Sequence, residues 1–224
     1  MISIVQTTLA QRTSTNTTLT ATLTNDPTPG NFVIIGIACS PAISSFTIAD
    51  SNSNSYSFTS GSPSTTGGVQ CYIAYLLSAP GNATKTINFA WTTAAVMDAY
   101  VSEFTGGTFA FDLDAAGGSG SSSTTINTPT VTPSGASEFV YAFANSQGSI
   151  SAPTSGGTLG IWTGVGAAPS SQGSMAEYIL SQSSAAQAQF TSSSNPWSSI
   201  GAAFTVGTIN PGDMTPGSEV RWEI

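Results

Sequence analysis

"NFVIIGIAC", from Asn31 to Cys39, carries apolar side chains at nearly every position. In an extended chain Val33, Ile35, Ile37 and Cys39 share one face, and Phe32, Ile34 and Ala38 share the other. A strand that is apolar on both faces is covered on both, so the run reads as a central strand of an all-β body. Pro29 and Gly30 punctuate its start.

Downstream, the Asp50 to Asn54 cluster reads as a turn between Phe46/Ile48 and Tyr56/Phe58. Val69 to Leu77 predicts another strand, and "APGN" at Ala79 to Asn82 a turn. "KTINFAW" resumes a strand, with Ile87, Phe89 and Trp91 two apart. "AAVMDAYVSEF" has a composition that a short helix tolerates, but its aromatic and β-branched residues, set among strands, predict a strand.

The second half repeats this order. "SEFVYAFA" answers "NFVIIGIA", "SMAEYILSQ" answers "VQCYIAYLLS", "AQAQFTS" answers "KTINFAW", and "SSIGAAFTV" answers "AAVMDAYVSEF". Tyr75 and Tyr178 fall at matching places in this scheme, as do Met97 and Ile200. "DLDAAGGSGSSSTT", between the halves, reads as a long surface loop. Each half alone offers too little core to stand comfortably by itself. The expected fold is therefore a single β-sandwich body over 1–224, jelly-roll-like and built from two sequence-related halves near 28–106 and 132–207. Two closely packed β subdomains are the alternative. "SIVQTTLA" near the start reads as an edge strand. "EVRWEI" at the end also alternates, placing Val220, Trp222 and Ile224 on one face for assembly with a neighbour.

"GNFVIIGIAC", "IADSNSNSYSF", "CYIAYLLSAPGNATKTINFAW" and "VSEFTGG", followed by the shorter second set, resemble a loosely defined group of bacterial and viral surface β-sandwich modules. The resemblance covers residues 28–206. It implies a jelly-roll or immunoglobulin-like sandwich on an extracellular or particle protein, and it carries over no catalytic residue.

Composition narrows the function classes. Charged residues make up only 6% of the chain, against roughly a quarter in an ordinary soluble domain. Ser, Thr, Gly and Asn hydrate the surface instead, a composition suited to secreted, cell-surface and virion proteins. Eleven acids face only Arg12, Lys85 and Arg221, for a net charge of −8. So few cations cannot follow a phosphate backbone, which argues against nucleic acid as a partner. With no histidine, Ser-His-Asp triads and His-based metal sites are excluded. "GGSGSSST" lacks the lysine of a phosphate-binding loop. No run approaches the roughly 20 apolar residues of a membrane span, and the N-terminus has no recognisable signal peptide. The expected location is a virion or the cell exterior.

Several residues remain as candidate sites. Cys39 and Cys71 permit one disulfide or two buried thiols. Asp98, Glu103 and Glu177 lie in apolar runs, where a buried acid has a raised pKa, and a glycosidase needs two such acids facing one cleft. Asp112 and Asp114, two apart before the Gly/Ser stretch, offer oxygen ligands to calcium, the one cofactor the chain suggests. Trp162 and Trp197, each in a polar or Gly-rich loop, and Tyr56 offer rings on which a sugar can stack. Asn16 and Asn82 match the N-glycosylation triplet. The leading expectation is a non-enzymatic structural protein of a virion or extracellular assembly, as a coat, decoration or fibre component, that self-associates or binds other particle proteins. A carbohydrate-binding or adhesive module is the alternative, and a glycoside-cleaving enzyme stands third.

Overall fold

The computed structural model describes residues 1–151, 162–165 and 173–207. The strands are β1 (Ser3–Thr22), β2 (Phe32–Ser40), β3 (Thr47–Asp50), β4 (Ser57–Phe58), β5 (Ser64–Thr66), β6 (Val69–Leu76), β7 (Thr86–Thr105), β8 (Thr108–Asn127), β9 (Glu138–Ser146), β10 (Ile150–Ser151), β11 (Thr163–Val165), β12 (Gly173–Gln182) and β13 (Gln189–Gly207). All their pairings are antiparallel. One sheet runs β1-β7-β2-β6-β4, with β3 also on β7 and β5 also on β6. The other runs β10-β13-β9-β12-β11, with β8 also on β13.

Each sheet is thus built from one half of the chain. In a jelly roll, consecutive segments of chain are shared between both sheets, so the expected jelly-roll order is not the one observed. The chain passes between sheets at Gly106–Gly107. Gly106 has φ +101, and a Cβ there would lie 2.1 Å from the Met1 carbonyl oxygen, so glycine is required on both counts.

Three apolar layers follow from the alternation read in β2. Phe32, Ile34 and Ala38 join Tyr100, Phe104, Phe139, Tyr141 and Phe143 between the sheets. Val33, Ile35, Ile37 and Cys39 face away, into a layer completed by Leu19, Ile48, Ile87, Phe89 and Trp91. These last five come from the distal part of β1, from β3 and from the first part of β7, so the long strands cover the outer face of their own sheet. The register of β1 on β7 shifts around Asn16, where this change of face occurs. The second sheet has its own outer layer, with Val140, Ala142, Met175 and Phe190.

The two sheets repeat one pairing scheme. β1–β7, β2–β7, β2–β6, β3–β7 and β4–β6 correspond to β8–β13, β9–β13, β9–β12, β10–β13 and β11–β12. Register follows. Phe32 opposes Phe104 as Phe139 opposes Phe204. Ile34 opposes Tyr75 as Tyr141 opposes Tyr178. Ring geometry between the sheets obeys the same exchange. Phe104–Tyr178 centroids are 5.1 Å apart at 75°, and their counterparts Phe204–Tyr75 are 5.2 Å apart at 77°. Phe104–Phe139 (4.8 Å, 61°) mirrors Phe204–Phe32 (5.0 Å, 57°). The central layer has the self-complementary form of a two-fold interface, in which each residue's contact is returned by its equivalent.

Tyr75 and Tyr178 match as expected, whereas Met97 and Ile200 do not. Gly36 opposes Tyr100 as Phe143 opposes Ile200, so Ile200 corresponds to Tyr100, and Met97 corresponds to Trp197. The expected loop "DLDAAGGSGSSSTT" lies within β8, because the whole flank of β13 offers it a ladder. Its glycines answer close neighbours: a Cβ at Gly118 would lie 2.4 Å from Thr66 Oγ1, and one at Gly117 2.7 Å from Pro129 Cγ. The repeating scheme includes β1 and β8, so it is wider than 28–106 and 132–207. "KTINFAW" and "AAVMDAYVSEF" form one continuous strand, β7.

Candidate functional site

The three strand acids stand in three different layers. Glu103, on the outer side of the first sheet, accepts bonds from Gln6 Nε2 (2.5 Å), the Thr28 amide (2.8 Å) and Asn31 Nδ2 (2.6 Å). It pins the segment entering β2. Asp98 points between the sheets, where Ser174 Oγ donates to it at 2.8 Å. Glu177 points to the outer side of the second sheet, between Met175 and Ile179 on its own strand. It is fully buried, and among the described residues neither carboxylate oxygen has a hydrogen-bond partner. Burial alone raises its pKa from 4.5 to about 7. No two of these acids share a cleft, so the pair that a glycosidase requires is not assembled from them.

Asp112 and Asp114 fasten separate loops. Asp112 accepts from Ser134 Oγ at 2.7 Å and from its amide at 3.0 Å. Burial raises its pKa, but these donors outweigh burial and hold the carboxyl below the ordinary aspartate value. Burial pushes the neighbouring Glu138 up, and the Asp112 charge adds to this against the Gly135 amide. Asp114 accepts from Ser60 Oγ at 2.8 Å and from the Gly61 amide. Among the described residues no group of three or more His, Cys, Asp or Glu side chains is placed to hold a metal. The two aspartates hold different loops.

Cys39 and Cys71 are both buried and free. They sit on neighbouring strands but on opposite faces, Cys39 in the outer layer and Cys71 between the sheets. The β pleat therefore rules out the disulfide. Burial raises both thiols, Cys71 to about 12.

The expected sugar platform is not assembled. Trp162 is buried in the outer layer of the second sheet, and Trp197 packs half-buried against that layer. Tyr56 is buried in the outer layer of the first sheet. The rings pack as core because each closes over its own sheet. Asn16 is half-buried in β1, where its side chain accepts the Thr17 amide, while Asn82 is exposed in a turn. Val220, Trp222 and Ile224 lie outside the described residues.

Two features stand out that the sequence reading missed. One is the start of β1. It forms the edge of its sheet, with Ile4 39% and Val5 48% exposed, beside a cleft of about 450 Å³ lined by Met1, Ile2, Leu180 and Val206. The other is a pocket of about 310 Å³ lined by Phe46, Phe58, Tyr72 and serines. Alternation marked the first only as an edge. The second joins distant segments, and no local pattern marks it. Among the described residues no helix is long and apolar enough to cross a membrane. No protein-family model and no curated protein sequence matches the chain.

Proposed function

We propose that this protein is a non-enzymatic structural module of a virion or extracellular assembly, and that it associates with copies of itself through the β1 edge. We further infer that its two halves descend from one duplicated unit, a reading supported by the repeated pairing and the matched ring geometry. The observation that carries the assembly reading is the contrast between equivalent edges. The β8 edge is closed by the chain's own 60–66 segment. Ser60 and Gly61 donate to Asp114, and Ser64 Oγ donates to the Gly117 carbonyl at 2.6 Å. At the position of Asp114, β1 carries Thr7, which turns back to the Val101 carbonyl of its own sheet.

From Ser3 to Gln11 the β1 edge has no charge and no proline, two of the devices with which soluble proteins block strand addition, and a register irregularity between Ile4 and Gln6 interrupts it locally. Antiparallel addition of a second β1 meets no like-charge repulsion there and covers Ile4 and Val5. The low-charge, hydroxyl-rich surface supports placement in a particle or outside the cell. Sedimentation equilibrium of the full chain tests the assembly. The expected result is a defined oligomer whose dissociation constant rises at least tenfold on Val5→Lys, with circular dichroism unchanged. A full chain that stays monomeric across the concentration range overturns the reading.

A further inference from the structure

We propose that the pocket on the outer face of the first sheet, between Phe46, Phe58 and Tyr72, binds one neutral pyranose ring. This site is independent of the β1 edge and uses none of the rings of the expected sugar platform. The ring centroids are 5.6 Å apart for Phe46–Phe58, 5.2 Å for Phe46–Tyr72 and 5.7 Å for Phe58–Tyr72. All are tilted, at 41° to 56°, so they form a concave aromatic wall rather than a flat stack. Phe46 and Phe58 are half-buried and open to solvent, while Tyr72 is buried at the base.

The rim is polar and uncharged. Ser44, Ser45, Ser62 and Pro63 complete the lining with Ile43. Ser62 is saturated by Thr59 and the Ile73 backbone, and the Ser44 hydroxyl is engaged by Thr92. The Ser45 hydroxyl is exposed on the rim, and its backbone has φ 52, a left-handed conformation that non-glycine residues hold only where the surroundings impose it. The imposing contacts are on either side of it. The Ile43 amide donates to Gln70 Oε1 at 2.7 Å, and Thr92 Oγ1 donates to the Ser44 carbonyl at 2.9 Å. The loop is held in shape before any ligand arrives.

Chemistry selects the occupant. With no charge in the lining, a charged ligand has nothing to pair with. A pyranose offers apolar C–H faces for the aromatic wall and hydroxyls at its edge for the Ser45 hydroxyl on the rim. The volume lies at the lower end of the roughly 300–1,000 Å³ range of small-ligand sites, so it takes one ring and leaves the rest of a chain outside. The pocket is also no by-product of the repeated scaffold. At the equivalent positions of the other half, Phe58 is replaced by Gly164 and Tyr72 by Met175.

The test is an amide-resolved NMR titration of the full chain with methyl glucoside, methyl galactoside, cellobiose, maltose and diacetylchitobiose. A proline-rich peptide and acetate serve as controls. The expected result is saturable shifts for at least one sugar, confined to the amides of Ile43 to Phe46, Phe58, Ser62 and Tyr72. Phe46→Ala is expected to weaken that sugar about tenfold. Phe46→Trp, which keeps a ring in place if the alanine variant misfolds, retains or tightens binding, and Ser45→Ala weakens it. The proposal is overturned if no sugar shifts these amides, if the shifts map elsewhere, or if the peptide or acetate binds there and the sugars do not. None of these outcomes bears on the oligomeric state.

Discussion

Glu177→Gln should remove a pH-dependent loss of stability that the wild-type chain carries near neutrality. Among the described residues Glu177 is buried and unpartnered, and those that face it carry no charge. Met175 and Ile179 flank it on β12, Ala142 of β9 and Gly164 of β11 lie opposite, and Trp162 shares its layer. Residues 152–161 and 166–172, which adjoin β11, contain no ionisable side chain in their sequence. In the unfolded chain the carboxyl titrates near 4.5, and in the folded protein near 7. Between these values the native state holds a proton that the unfolded state has released, so stability falls as pH rises. The stabilising proton is fully present below 4.5 and fully lost above 7. At 1.36 kcal/mol per pKa unit, the difference comes to about 3 kcal/mol. Gln resembles the protonated acid in size and polarity. The variant should therefore match wild type near pH 4.5 and exceed it by about 3 kcal/mol at pH 8, or roughly 6–12 °C in midpoint for a chain of this size. Glu138, also raised by burial, adds a slope of the same sign that survives in the variant. Asp50 and Asp112, both lowered, lose their stabilising charge only as pH falls through their folded values, below this window. Urea titrations of both proteins from pH 4.5 to 8 provide the measurement. Parallel curves, with the same slope in wild type and variant, would refute the reasoning.

Two further outcomes follow from the central layer and the cysteines. Gly36→Ala should destabilise the fold by about 1–3 kcal/mol, since its Cβ would lie 2.4 Å from Phe143 Cδ2 and 2.8 Å from the Tyr141 hydroxyl. A double-mutant cycle with Phe143→Leu should recover part of that loss, and strict additivity of the two would contradict the contact. Cys39 and Cys71 should resist thiol reagents in the native protein at pH 8 and both react in denaturant without prior reduction; a disulfide-linked peptide in a non-reducing digest would contradict the assigned faces.

Much of the strand scaffold is legible in the sequence because its signals are local. β2 announces itself by apolar side chains on both faces. The turn after Ile48 is written in Asp50, whose carboxylate accepts the amides of Asn52 (2.9 Å), Asn54 (3.0 Å) and Thr84 (2.9 Å). β8 is illegible for the opposite reason. Its Gly/Ser/Thr run has no hydrophobic alternation, and strand geometry is imposed by the open flank of β13, a partner far away in the chain. The site residues divide in the same way. An acid inside an apolar run marks Glu177 as unusual, but whether it meets a donor, as Glu103 does, depends on residues from other strands. A tryptophan in a polar loop gives no sign of whether it faces solvent or folds back, and Trp162 folds back. Phe46 and Phe58 read as ordinary strand aromatics until tertiary packing gathers them with Tyr72 around one hollow.

The repeated scaffold supplies an internal control for deciding which residues do more than pack. Where the two halves agree, as at Phe104 and Phe204 or Tyr75 and Tyr178, each phenylalanine meets the other half's tyrosine across the central layer. Where they disagree, one half has taken on something the shared fold does not demand. Gly36 and Phe143 are such a pair: one gives up its side chain so that the other's ring fits against it. Ala74 and Glu177 are another, and there the departure places a carboxyl in an apolar layer where the fold itself is satisfied by a methyl group. Thr7 and Asp114 differ in a way that leaves one edge bare and the other latched, and Phe58 and Gly164 in a way that gives only the first of these two positions a ring. If packing alone governed these positions, exchanging each for its counterpart would cost little in either half. Placing Asp at position 7 is the most direct such exchange. It should put a charge on the β1 edge and suppress self-association as Val5→Lys does, while the aromatic pocket, on a different face of the same sheet, keeps its ligand.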